Sequence, residues 1–440
     1  MMEEVKMKTI NDVKNFLKQS KTRDLFAALY GNVPSEIERQ VARYESLAKL
    51  FFEHFGEKEV SLFSSPGRTE IGGNHTDHNL GKVLTGSINL DAACVASKND
   101  DNKVRIYDLK YNEDFTIDIN NLQRAPSDRG SYALVKGLLK GFAELGGKIG
   151  GFDACISSEV IAAAGVSSSA CFEMLICAIL NSFYNDNKVD KVIHARAGQY
   201  AENKYWDKAS GLLDQTACAF GGMVAIDFEN PTAPKVEEIA FDFSKQGYDL
   251  LIVNTGGSHA NLSPEYSSIP NEMKQVAAFF GKQHCREITK EMIFGNLPKL
   301  REATGDRAIL RALHFLAENE RVDAQVAALK ENNFNAFLEK ITESGNSSWK
   351  WLQNCYVNEV PNEQGITLML SLTELFLANH KGGACRVHGG GFAGVIAVYL
   401  PTQLTKEYTD YIEGIVNEKV VYKMFIRPFG AINICETIEQ

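Results

Sequence analysis

Several absences bound this chain of 440 residues. Nine cysteines contain no CxxC pair, which argues against a dithiol redox motif or a cysteine-based metal knuckle. Cys94, Cys171 and Cys177 sit in apolar runs and read as buried free thiols, which suit a reducing cytoplasm. Basic charge is in deficit. Lys and Arg number 46 against 56 Asp and Glu, a net charge of −10, so the concentrated basic face of a nucleic-acid surface is excluded. A local basic pocket for a small anion is not. No apolar run approaches the roughly 20 residues of a membrane span. Charges begin at Glu3, and no signal-peptide core is visible. No period of 20 to 50 residues repeats, and no low-complexity tract or long linker occurs. The Gly-Lys-Ser/Thr of a P-loop is also absent.

What remains is an ordinary globular composition, 44% hydrophobic and 23% charged. The length predicts two or three domains. One stretch organises the chain. Ala163-Ala164-Gly165-Val166-Ser167-Ser168-Ser169-Ala170 runs into Cys171 to Tyr184, which is apolar nearly all round and predicts a buried helix. A helix start has unpaired N–H groups and a partial positive charge. Small residues let an anion approach that backbone, and serine hydroxyls add donors. The stretch reads as a phosphate cradle. A serine-capped core helix is the plainer alternative.

A second polar stretch, Ser65 to Leu80, is dense in Gly, His, Asp and Asn and precedes a strand-like run. It predicts a turn carrying a site. Asn74 and Asp77 have the chemistry to hold sugar hydroxyls, or merely to satisfy an Asx-type turn. His75-Thr76-Asp77-His78 lacks a metal-helix pattern, and Gly72-Gly73 argues against one.

Elsewhere the pattern predicts amphipathic helices before Leu50 and a strand over Val60 to Ser64. A hairpin is predicted over Val104 to Ile119, then helices over Ala133 to Leu145 and Lys191 to Tyr205. Strands follow at Met223 to Phe228, Val236 to Phe241 and Asp249 to Asn254. Helices dominate from Asn271 to His380, with a break expected at Gly345-Asn346-Ser347-Ser348. Asp214 follows Gly211 and precedes an apolar stretch, a place to cap a helix or to hold a carboxylate rigidly. Three glycines, Gly389 to Gly391, precede the apolar strand Val395 to Leu400 and mean a tight turn or a close backbone approach.

Three of these stretches, in this order, resemble the GHMP small-molecule kinases. PGRTEIGGNHTDHNLG resembles the galactokinase signature, AAAGVSSSA the GHMP phosphate loop, and VHGGGFAGVIAVYL the third GHMP motif. YALVKGLLKGF, AENKYWDKASGLLDQTACAFG, SPEY and HFLAENERV fill the gaps, so the resemblance runs from about Phe51 to Leu400. It implies an α/β (α+β type) two-domain fold with a left-handed β-α-β crossover, a right-handed-rule exception that patterning alone does not reveal. The expected division is a helical extension over 1–50, an N-terminal domain over 51–225 and a C-terminal domain over 226–440, with the last strand returning to the first domain.

By the same resemblance the activity is ATP-dependent phosphorylation of the anomeric 1-hydroxyl of galactose. Asp214 and Arg68 are the expected catalytic pair. Gly165, Val166, Ser167, Ser168, Ser169 and Ala170 hold ATP, and Ser169 and Glu202 hold Mg²⁺. Asn74, His75, Asp77, Asp214 and Tyr266 are the expected sugar contacts. The implied protein is a cytoplasmic monomer or weak oligomer with no nucleic-acid or membrane partner. The chain departs from the family at three signature positions. The family has Glu, a contact of the sugar 6-hydroxyl, where Asn74 stands, Asn where Glu70 stands, and Tyr where His78 stands. A kinase for a C6- or C2-modified galactose relative, such as galacturonate or galactosamine, is the alternative, and a non-catalytic sugar sensor is another.

Overall fold

A computed structural model describes residues 7–160, 165–208, 210–257 and 262–439. Three helices come first: α1 (Ile10–Leu17), α2 (Ser20–Tyr30) and α3 (Pro34–Phe55). Thr9 and Asp12 close a capping box at the start of α1, and Pro34 opens α3 where its missing N–H costs nothing. The apolar stripe of these helices buries Phe16, Phe26, Leu29, Leu47 and Phe51 against Leu62, Val95 and Cys155 of a sheet. Polar links cross the same interface, among them the pair of Arg43 with the fully buried Asp91 at 2.7 Å and the hydrogen bond from the Tyr44 hydroxyl to the Phe63 carbonyl at 2.9 Å. The three helices are therefore one layer of the sheet's packing.

That sheet holds β1 (Ser61–Gly72), β2 (Lys82–Lys98), β3 (Lys103–Asp108), β4 (Glu113–Asp118), β5 (Phe152–Ser158), β6 (Met223–Asp227) and β7 (Lys235–Ile239). The second sheet is antiparallel, in the order β11 (Val421–Met424), β8 (Tyr248–Asn254), β10 (Val395–Pro401), β9 (Ala384–His388). A last short strand, β12 (Ile432–Asn433), returns to pair with β1. The main path of the first sheet is β12-β1-β2-β5-β3-β4. The long β2 serves two neighbours: its first residues pair with β6 and its last with β5. β3 and β5 are parallel, and β4 and a helix connect them.

Helices α4 (Gly130–Glu144), α5 (Ser168–Asn185), α6 (Lys191–Tyr205) and α7 (Leu213–Phe220) cover the face opposite α1 to α3. The glycines within α4 are packing residues. A Cβ at Gly137 or Gly141 would meet the Tyr205 or Tyr200 ring of α6 at 2.6 and 2.8 Å. Helices α8 (Ser263–Phe279), α9 (Lys290–Gly295), α10 (Leu297–Thr304) and α11 (Asp306–Lys330) pack on one another, with α11 also against β1 and β2, whereas α12 (Phe334–Ser347), α13 (Gly365–Ala378) and α14 (Thr405–Val416) pack on the second sheet; α15 (Ile434–Thr437) lies beside β1. Among the described residues no helix is long and apolar enough to cross a membrane.

Two expectations are corrected. Pro66 to Gly72 belong to strand β1, and only residues 73–81 form the turn. The polar residues of this stretch escaped the strand pattern because β1 is buried along nearly its whole length by tertiary partners on both faces. The break expected at Gly345 is also absent: α12 runs through it and continues as a π-helical turn to Leu352. Gly345 is small because Arg386 packs on it, with a Cβ there standing 3.0 Å from the Arg386 Cβ.

Candidate active site

Strand β1 slips register twice, between Pro66 and Arg68 and between Glu70 and Gly72. Such bulges re-aim side chains. Here they turn Arg68 and Glu70 toward a cleft of about 900 Å³ lined by residues from both halves of the chain. Arg68 Nε donates to Asp214 Oδ1 at 2.8 Å, and Arg68 Nη1 donates to the Gly165 carbonyl. Asp214 lies in the first turn of α7, where the helix N-terminus favours a carboxylate. Burial alone would raise its pKa. The Arg68 guanidinium and then Lys208 outweigh burial and hold it below the ordinary carboxylate value. Asp214 is thus ionised at neutral pH and fixed in direction.

The start of α5 opens beside this pair. Gly165 and Ser167 both have positive φ, 64° and 60°, and no side chain caps the helix. The first N–H groups of α5 therefore lack an internal acceptor. Ala163 and Ala164, part of the expected cradle, lie outside the described residues. Ser169 Oγ donates to Glu202 Oε1 at 2.8 Å, bringing together two groups 33 residues apart. Lys208 Nζ reaches the same Glu202 oxygen at 2.6 Å and Ser169 Oγ at 3.4 Å. A cation thus already sits where the two expected metal-holding groups meet. Behind Glu202, Gln215 Nε2 donates to Glu202 Oε2 at 3.2 Å and to Glu173 Oε2 at 3.1 Å. Burial, and next the Glu202 charge, push the Glu173 carboxyl well above its usual pKa.

The opposite wall is the turn after β1. His75, with φ +58°, donates its Nε2–H to the Gly390 carbonyl at 2.7 Å. Burial lowers its pKa to about 3, so the ring is neutral. The Tyr266 hydroxyl donates to the Gly391 carbonyl at 2.9 Å, and Tyr266 packs on Gly390, where a Cβ would come within 2.6 Å of its ring. Asp77 stands against Gly211, which has no room for a side chain. Both sides of the cleft thus draw on the glycine turn between β9 and β10.

Helix α11 holds this turn from behind. Glu318 Oε1 accepts from the Gly73 N–H at 3.0 Å and from the Ser344 hydroxyl at 2.6 Å, and Oε2 pairs with Arg321 at 2.7 Å. Burial would raise the Glu318 pKa, but Arg321 and its other neighbours bring it down to about 2. The His314 Nε2–H donates to the Asn74 carbonyl at 3.0 Å, and the Lys82 N–H donates to Asn319 Oδ1 at 2.7 Å.

The galactokinase galactose-binding signature matches residues 49–98, and the GHMP kinases N terminal domain matches residues 133–222. A galactokinase of Actinobacillus pleuropneumoniae serotype 5b is 30% identical over 355 residues, covering 80% of this chain and 88% of the relative. This chain belongs to the galactokinase family. A galactokinase of Lactococcus lactis is 30% identical over 308 residues, 68% of this chain and 75% of the relative. The crystal structure of Lactococcus lactis galactokinase complexed with galactose superposes with a TM-score of 0.75 at 25% identity, covering 89% of this chain and all of the other. A mevalonate kinase at 16% identity and a TM-score of 0.56 shares the fold.

Within that family fold, Arg68, His75, Asp77, Glu202, Asp214 and Tyr266 all line or border the cleft. Asn74 does not. Its side chain is fully buried, with Nδ2 donating to Glu70 Oε1 at 2.9 Å and to the Gly389 carbonyl at 2.7 Å. Its Oδ1 accepts from Asn354 at 2.8 Å and Ser348 at 3.2 Å. Every polar atom is used by the protein, so the sugar contact expected of Asn74 is replaced by a brace between the domains. Glu70 and Lys208 both line the cleft as well; the sequence marked Glu70 only as a departure from the family and assigned neither residue a role. The signal for Glu70 was its place two residues beyond Arg68, on the same face of a strand.

Proposed function

We propose that this protein transfers the γ-phosphoryl group of ATP to the anomeric 1-hydroxyl of galactose, giving galactose 1-phosphate and ADP. The Arg68–Asp214 pair beside the uncapped start of α5 carries this reading. An ionised, rigid carboxylate next to a phosphate-binding helix end aims and deprotonates a hydroxyl directed at that phosphate. Arg68 keeps Asp214 charged and lies where charge builds on the transferring group. The free N–H groups from Gly165 to Ala170 would receive the phosphates.

Ser169 Oγ and Glu202 Oε1 fit Mg²⁺, because they meet at an edge of the cleft and already hold the Lys208 ammonium. No group of three or more His, Cys, Asp or Glu capable of holding a metal occurs among the described residues. The ion would therefore take most of its ligands from phosphate oxygens and water. It would supply charge neutralisation at those oxygens. The ATP requirement and the buried thiols suit a cytoplasmic enzyme.

Incubation with ATP, Mg²⁺ and galactose, followed by phosphorus NMR, tests the reading. An anomeric phosphate signal that disappears in Asp214→Asn is the expected result. Hydrolysis of ATP independent of sugar, or phosphate at another position, would overturn it.

A further inference from the structure

Glu70 is a buried carboxylate only half used by the protein. It is 5% exposed and lies on β1 opposite Thr85. One oxygen, Oε1, accepts two hydrogen bonds: from Asn74 Nδ2 at 2.9 Å and from Arg386 Nη2 at 2.9 Å. Arg386 is itself wholly buried. It donates Nη1 to the Ile71 carbonyl at 2.8 Å and Nε to the Val387 carbonyl at 3.0 Å, so it cannot turn away. The Glu70 N–H donates to His388 Nε2 at 3.1 Å. Backbone and carboxylate are therefore both fixed in place from β9. The second oxygen, Oε2, accepts no hydrogen bond from the described residues, while the residue lines the same cleft as Arg68, His75, Asp77 and Asp214.

A charged oxygen at the wall of a closed site is costly unless a donor meets it. The groups facing the cleft near it are another carboxylate, Asp77, a neutral histidine whose Nε2–H is already given away, and Arg68, which is committed to Asp214 and Gly165. The donor must come from the ligand. On the galactose reading above, we propose that Glu70 is a specificity-determining residue, with Oε2 accepting a hydrogen bond from a sugar hydroxyl other than the one phosphorylated. Asn74 and Glu70 exchange the amide and the carboxylate that the family carries in the opposite order. The two groups are in contact here; the amide is consumed inside the protein, and the carboxylate is the group that meets the cleft.

The test compares galactose with its 2-, 3-, 4- and 6-deoxy analogues in the native protein and in Glu70→Gln. Glutamine retains an oxygen for Asn74 and Arg386 and replaces the free oxygen by a donor. In the native protein one analogue should lose about 10- to 100-fold in kcat/KM, the usual weight of a hydrogen bond to a charged group. In Glu70→Gln galactose should fall by a similar factor, through KM, while that one analogue loses less than about 2-fold further. The KM for ATP and the melting temperature are measured alongside. If Glu70→Gln does not fold, Glu70→Asp keeps the charge beside Arg386 and withdraws the oxygen, and the same selective loss is expected. A uniform loss on all five sugars, or none on any, would show that Glu70 only braces Arg386 and overturn the proposal. Native protein inactive on galactose and every analogue would bring down the galactose reading and this proposal together.

Discussion

The two walls of the cleft are built on opposite plans. The wall proposed for the sugar, residues 73–81 with Glu70, is held by groups hundreds of residues away: Glu318, His314, Asn354 and Arg386. The side chains of Asn74, Thr76 and Asn79 are engaged by the protein, and Glu70, His75, Asp77 and His78 line the cleft. On the phosphate wall the elements are closer in sequence, and its helix start is left open. Gly165 and Ser167 take positive φ, no side chain caps α5, and a mobile type of cation, a lysine, fills the place between Ser169 and Glu202. On the proposed function a sugar hydroxyl is recognised by position, which suits a wall held by many hydrogen bonds. Phosphates bring their own charge and ligands, so their wall needs only exposed donors.

Asp214 sits between the walls and should give the largest effect. Asp214→Asn is expected to cut kcat by about 10² or more with little change in melting temperature. Loss of both in proportion would mean that the pair with Arg68 is chiefly structural.

Next is Asn74→Glu, which attacks the sugar wall alone. It sets two carboxylates in contact and removes the donor to the Gly389 carbonyl. An uncompensated buried charge costs about 3–5 kcal/mol, so unfolding at lower denaturant is expected. The exchange Glu70→Asn with Asn74→Glu restores one amide and one carboxylate and should recover most of that loss. Equal stability of the single and the double variant would deny the coupling.

Glu318 anchors the same wall and gives it a pH dependence. Its folded pKa of about 2 lies below an unfolded value near the ordinary 4.5. Its contribution is complete above the unfolded value and is lost as pH falls from there toward 2. Glu318→Gln should therefore lower stability at neutral pH and flatten the dependence over that range. Denaturation curves at stepped pH provide the check, and an unchanged slope would remove Glu318 as the cause.

On the phosphate wall, Ser169→Ala with Glu202→Gln should raise the Mg²⁺ concentration needed for half-maximal rate by about 10-fold, leave galactose binding alone, and weaken Mg²⁺-dependent nucleotide binding in equilibrium titrations. A change confined to sugar affinity would contradict the division between walls.

The smallest expected effect is a shift in a pH profile. Arg68 depresses the Asp214 pKa, so Arg68→Gln should move the acid limb of kcat to higher pH. An acid limb at its native position would assign that titration to another group.

The amino-acid sequence by itself determined the family, through three motifs in order, and most element types, through the local periodicities of helix and strand. The same motifs named Arg68 and Asp214, which the fold brings into contact. The sequence determined less where partners are remote. Nothing within residues 65–81 says that Arg386 lies against Glu70, or that Asn354 and Gly389 claim the Asn74 side chain. The same remoteness disguised Pro66 to Gly72 as a turn, since Arg68 is met by Asp214 and Gly165, Thr69 by His388 and Glu70 by Arg386, all far along the chain. A polar residue's role depends on which of its atoms remain unpaired after folding, and only the tertiary structure decided that the free oxygen in this signature belongs to Glu70.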